Sequence, residues 1–112
     1  ADAYLMYAEA VLRGGNGDAG LALDYVNAVV NRGFGDNSSE ISASDLNLDF
    51  ILDERGRELF WEGHRRTDLI RFGKFGGSWW EKTNSDSFRT LFPIPLEQIN
   101  ASSGSLSQNP GY

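Results

Sequence analysis

The stretch from Ile51 to Arg66 places an arginine where a helix calls for hydrocarbon. At helical spacing Leu48, Ile51, Leu52, Leu59 and Glu62 share one face, and Arg55 falls at its centre. A charge there is costly unless it is paired and hydrogen-bonded. The spacing therefore predicts an interior ion-pair network. Glu54, Glu58 and Glu62 recur every four residues and alone would repel along a ridge. Arginines interrupt that ridge. Arg55 precedes Glu58 by three residues, Arg65 and Arg66 follow Glu62 by three and four, and Asp68 lies three from both Arg65 and Arg71. The expected network is Arg55, Glu58, Glu62, Arg65, Asp68 and Arg71. Eight of the ten basic residues are Arg, whose planar fork suits a partly buried, bidentate pair.

The apolar spacing elsewhere predicts more helix. Residues 2–13 carry Tyr4, Tyr7, Ala8, Val11 and Leu12 on one wide face. A glycine-rich turn at 14–17 leads to a second helix over 18–32, with Ala22, Val26, Val29 and Val30 inward and Gly33 as the left-handed residue that ends it. Two short helices across a tight turn pack antiparallel, as in a tetratricopeptide hairpin. Asn47 is the N-cap of a third helix running to about Glu62. Gly63 breaks it, and a fourth helix follows over 64–72, ended by Gly73. Residues 76–91 read as a loop containing Trp79 and Trp80. Phe92-Pro93-Ile94-Pro95 is extended, because a residue before proline avoids the helical region. Pro95 opens a short helical turn, and the tail from Ala101 is rich in Ser, Gly and Asn. The fold class is all-α: a tetratricopeptide-like hairpin over 1–33, two signature helices over 47–73, and a loop-rich tail over 74–112. The first helix begins almost at residue 1, so the chain reads as cut from something longer.

Composition excludes several functions. With no Cys in 112 residues, a disulfide framework, a zinc–thiolate site and a cysteine nucleophile are ruled out. The net charge of −6 sits in residues 1–50, where eight acids face Arg13 and Arg32 alone; residues 51–112 balance. An acidic half argues against nucleic acid as a partner. No apolar run reaches the roughly 20 residues needed to span a bilayer as a helix. No triad, phosphate loop, dinucleotide fingerprint or metal-spaced cluster is present, so neither cofactor nor metal is expected. His64 is the single histidine and stands beside two arginines. The paired glutamates are poor candidates for a glycosidase acid and base, because neighbours on one ridge do not face each other across a substrate. The charged network is therefore read as structural.

The same residues carry a resemblance. Ile51-Leu52-Asp53-Glu54-Arg55-Gly56-Arg57-Glu58-Leu59, then Glu62-Gly63-His64-Arg65, then Asp68-Leu69-Ile70-Arg71-Phe72-Gly73-Lys74, resemble the C-terminal signature of the SusD/RagB family. Phe92-Pro93-Ile94-Pro95 with Glu97, the closing Gln108-Asn109-Pro110-Gly111-Tyr112, and the opening Tyr7-Ala8-Glu9-Ala10 helix agree with it. Arg66 departs from the pattern, since an aromatic residue is common there. The resemblance implies a non-enzymatic nutrient-binding lipoprotein of the Bacteroidetes-type outer membrane. Such a protein caps a SusC-like TonB-dependent transporter and captures glycans, or peptides in RagB-like branches. It also implies a lipid-anchored N-terminal region and a remainder of the chain that this sequence lacks. A further alternative is a structural or transporter-docking module with no ligand contact of its own.

Trp79 and Trp80 are the candidate ligand-binding residues, since an aromatic face suits the apolar face of a pyranose. The competing expectation is that they plug the helical core. Trp61 is expected to pack.

Overall fold

The computed structural model describes residues 1–112. They form five α-helices and no β-strand: α1 (Asp2–Leu12), α2 (Ala19–Phe34), α3 (Leu48–Glu58), α4 (Arg65–Arg71) and α5 (Leu96–Ala101), with one 3-10 turn at Ser87–Thr90. The fold is all-α, as the spacing predicts. Residues 1–68 and 69–112 make two compact units.

In the first unit α1 packs against both α2 and α3. Leu5 and Ala8 of α1, Ala22, Val26, Val29 and Val30 of α2, and Ile51, Leu52 and Leu59 of the third segment are buried. Each large aliphatic side chain so buried stabilises the fold by about 1.5–3 kcal/mol. The small residues let the helices approach closely, and three tyrosines pack together between the two helices of the hairpin. Tyr4 stacks on Tyr25 at 4.2 Å, and Tyr7 meets the same ring edge-on at 5.3 Å. The Tyr7 hydroxyl accepts the Asp18 N–H, while Asp18 caps α2 by accepting the Leu21 N–H at 2.7 Å.

The second helix runs past its expected end. Gly33 stays helical, and Gly35 takes the left-handed conformation at φ +81°, its N–H bonding the Asn31 carbonyl. A glycine inside a helix costs about 1 kcal/mol. Side-chain bonds from the last turns offset that cost. The Asn27 amide donates to the Ile41 carbonyl and accepts the Ile41 N–H, and Asn31 donates to Glu40. These bonds order the polar 36–41 segment and set the helix end.

The third helix stops earlier than expected, at Glu58 and not near Glu62. Residues 59–63 form consecutive turns, with Trp61 at φ +65° and Gly63 at φ +82°. Asn47 caps α3 as its sequence predicts, accepting the Phe50 N–H at 2.9 Å.

The second unit has little regular structure and is held by specific bonds. Gly73 ends α4 at φ +69°, and the Lys74 and Phe75 N–H groups return to the Leu69 carbonyl. Trp79 and Lys82 exchange both backbone hydrogen bonds around a turn made by Trp80 and Glu81. The Phe92–Pro95 segment and the chain end form a single clamp. The Gln108 side chain accepts the Ile94 N–H at 2.8 Å and donates to the Ile94 carbonyl at 2.9 Å. Asn109 donates to the Phe92 carbonyl, and the Tyr112 hydroxyl donates to the Leu91 carbonyl. Tyr112 meets Phe88 edge-on at 4.9 Å. Gly111, at φ +95°, lies so close beneath Phe88 that a Cβ would stand 2.4 Å from the ring.

Candidate functional site

Arg55 is 3% exposed, and its partners come from two other helices. Its Nε donates to Asp68 Oδ2 of α4 at 2.9 Å. Its Nη1 lies 2.8 Å from Asp2 Oδ1 of α1, a charge contact bent away from hydrogen-bond geometry. Asp68 is 1% exposed, so this pair is withdrawn from water. One guanidinium thus ties α1, α3 and α4 together. Arg32 of α2 pairs with Glu58 of α3 and brings in the remaining helix of the unit. Glu54 and Glu9 are buried acids that pair with Arg57 of the same helix and with Arg13 just past the end of α1.

The wiring differs from the sequence expectation in its partners. Glu58 meets Arg32 and not Arg55. Glu62 is exposed and lies on the turn after α3, because the helix that would have placed it on the apolar face has already ended. Arg65 turns to the backbone: its Nη1 donates to the Leu52 carbonyl at 2.7 Å. Gly56 makes that reach possible, since a Cβ there would stand 2.9 Å from the same nitrogen. Arg71 is exposed in the second unit, its guanidinium 5.4 Å from the Phe72 ring. Asp2 and Arg32 are partners that helical spacing does not reveal, because they arrive from other helices.

The turn after α3 opens a pocket of about 650 Å³. Asp53, Arg57, Phe60, Trp61, Arg65 and Arg66 are among the residues that line it. Trp61 is 92% exposed and Phe60 73% exposed, with ring centroids 5.9 Å apart and planes inclined by 25°. This overturns the expectation that Trp61 packs: leaving the helix at Glu58 swings its indole outward.

Trp79 and Trp80 are not buried either. Trp80 is 86% exposed at the tip of its turn. Trp79 is half-covered by Lys82, whose ammonium sits 4.1 Å from the indole centroid and donates to the Gly77 carbonyl. Neither ring plugs the core formed by residues 1–112. No cluster of His, Asp or Glu is placed to hold a metal, and no helix is long and apolar enough to cross a membrane.

The first unit is thus a helical hairpin with α3 packed on it, a buried Arg55–Asp68 pair and exposed rings at Phe60 and Trp61. The model of the SusD family matches residues 1–88, and the chain belongs to that family. Over 122 aligned residues it is 34% identical to the starch-binding protein SusD of Bacteroides thetaiotaomicron, covering 100% of this chain and 20% of that protein. It is 36% identical over 113 residues to a SusD-like protein, P25, of Formosa agariphila, covering 88% of this chain and 20% of that one. Among solved structures, a SusD superfamily protein of Bacteroides vulgatus superposes with a TM-score of 0.79 at 38% identity, over 99% of this chain and 26% of that one. Surface glycan-binding protein A of Bacteroides thetaiotaomicron gives 0.80 at 35% identity, over 97% of this chain and 23% of that one. The chain thus spans about a fifth of the curated relatives it matches. The family consists of binding proteins and not enzymes, and Glu9, Glu54, Glu58 and Asp68 each pair with an arginine.

Proposed function

We propose that this chain is the C-terminal segment of a cell-surface glycan-binding protein that hands its ligand to a SusC-like TonB-dependent transporter in the outer membrane. Its anchor is a lipid on an N-terminal region outside these residues. The observation that carries the reading is likeness to a starch-binding protein along 100% of this chain. The charge network is the scaffold, and the exposed Trp79 and Trp80 are the side chains offered to ligand. Stacking of a sugar on an indole removes apolar surface from water on both partners.

The test uses the intact protein that contains this segment. Trp fluorescence is followed while neutral oligosaccharides such as maltohexaose are titrated in, and the same protein is used to capture its transporter from outer-membrane extract. Saturable quenching that weakens in Trp79→Ala and Trp80→Ala, together with co-purification of the transporter, is the expected result. Emission unmoved by every glycan would contradict glycan binding. Capture of the transporter without any glycan response would favour a docking module instead.

A further inference from the structure

Trp61 adopts a backbone conformation that bulky residues rarely hold, and gains no burial in return. A non-glycine residue in the left-handed region is strained. The conformation presents the indole outward beside Phe60, and the two rings form one gently bent apolar platform. The platform borders a pocket of about 650 Å³, within the size range of small-ligand sites.

The charged lining is mostly basic. Arg55, Arg57, Arg65 and Arg66 line the pocket, with Asp53 the one carboxylate among the lining residues. Two of these guanidinium groups, Arg57 and Arg65, are anchored but not exhausted. Arg57 commits Nε and Nη2 to one oxygen of Glu54, leaving Nη1 with its two protons. Arg65 commits Nη1 to the Leu52 carbonyl, over Gly56, and keeps its other nitrogens. Both forks are therefore oriented in advance, as recognition of a planar carboxylate requires. Resting on the glycan-binding reading above, we infer that this pocket is a second sugar subsite, and that it takes a carboxylate-bearing pyranose, a uronic acid unit. The ring lies on Trp61 and Phe60 while its carboxylate accepts from Arg57 and Arg65. The subsite lies within the first unit.

The experiment compares tetragalacturonate with its methyl ester, which has the same shape without the charge, by calorimetric titration into the intact protein. Maltohexaose is the neutral control. The acid should bind about tenfold or more tightly than the ester, the increment expected of charge-assisted hydrogen bonds. That preference should shrink with added salt. Trp61→Ala and Arg57→Lys, the second keeping a cation beside Glu54 while removing the planar fork, should each weaken the acid by about tenfold, and Trp61→Ala should leave melting unchanged. Equal affinity for acid and ester, or wild-type affinity in both variants, overturns the subsite. If maltohexaose still binds in that case, the glycan reading stands and this inference alone fails. If no glycan binds, both fall.

Discussion

Residues 1–68 are tied together by charges, and residues 69–112 by neutral amides. In the first unit the fastening is Arg55 between Asp2 and Asp68, with both members of the Asp68 pair almost fully withdrawn from water. In the second it is Gln108 and Asn109, whose side chains pair with the backbone of Ile94 and Phe92 as a neighbouring strand would. The difference follows from what each must join. Helices satisfy their own backbone, so only side chains can link them, and a long Arg reaches two partners at once. An extended Pro-containing segment leaves N–H and C=O groups open, and a neutral amide supplies one donor and one acceptor in matching places. A buried ion pair is costly to break from one side, whereas a half-buried amide costs only its hydrogen bonds.

Substitutions can break this contrast. Arg55→Ala should be the most damaging, at about 3–5 kcal/mol, because it strands Asp68 in the interior and leaves a void. Arg55→Met should cost less, since it keeps the volume on the apolar face. Equal losses in denaturant unfolding would argue that Arg55 is not buried. Gln108→Ala should cost about 1–2 kcal/mol, the worth of two hydrogen bonds to Ile94. It should speed amide exchange at Ile94 while leaving exchange in α1 and α2 unchanged. Arg32→Ala should cost below about 1 kcal/mol, since its side chain is 69% exposed although Glu58 is nearly covered.

The smallest effect concerns acid. The Ser42 hydroxyl and N–H hold the Asp45 carboxyl below its ordinary value, as Ser38 does for Asp36. A lowered folded-state value means the carboxylate contributes stability above the ordinary aspartate range. That contribution disappears as pH falls through the folded-state value. Asp45→Asn should therefore flatten slightly the acid limb of a melting-temperature profile below about pH 5. An unchanged limb would show that the Ser42 bonds do not persist in solution.

Much of the first unit was legible in the sequence because its helices are amphipathic and capped. Ala22, Val26, Val29 and Val30 are buried as their spacing predicts, and Asn47 opens α3. The errors lie where tertiary bonds overrode local signals. Gly33 is a plausible stop, but Asn27 and Asn31 hold the helix through it. Continuing periodicity through Leu59 and Glu62 suggested a longer α3. The chain turns at Leu59, and Arg65 reaches back over Gly56 to the Leu52 carbonyl. Once the turn is there, Trp61 faces outward, and no hydrophobic count could have shown it. Gln108 and Phe92-Pro93-Ile94-Pro95 were visible as separate motifs. Their pairing was not, since 14 residues separate the Gln108 and Ile94 partners and neither carries a charge or a period to betray it.

The charged signature is a buried clamp and not a reactive site. A double-mutant cycle on Arg55→Met and Asp68→Leu, read by denaturant unfolding, tests it most directly. The expected coupling is about 1–3 kcal/mol, the double variant being markedly less destabilised than the sum of the two single ones. Simple additivity would contradict it.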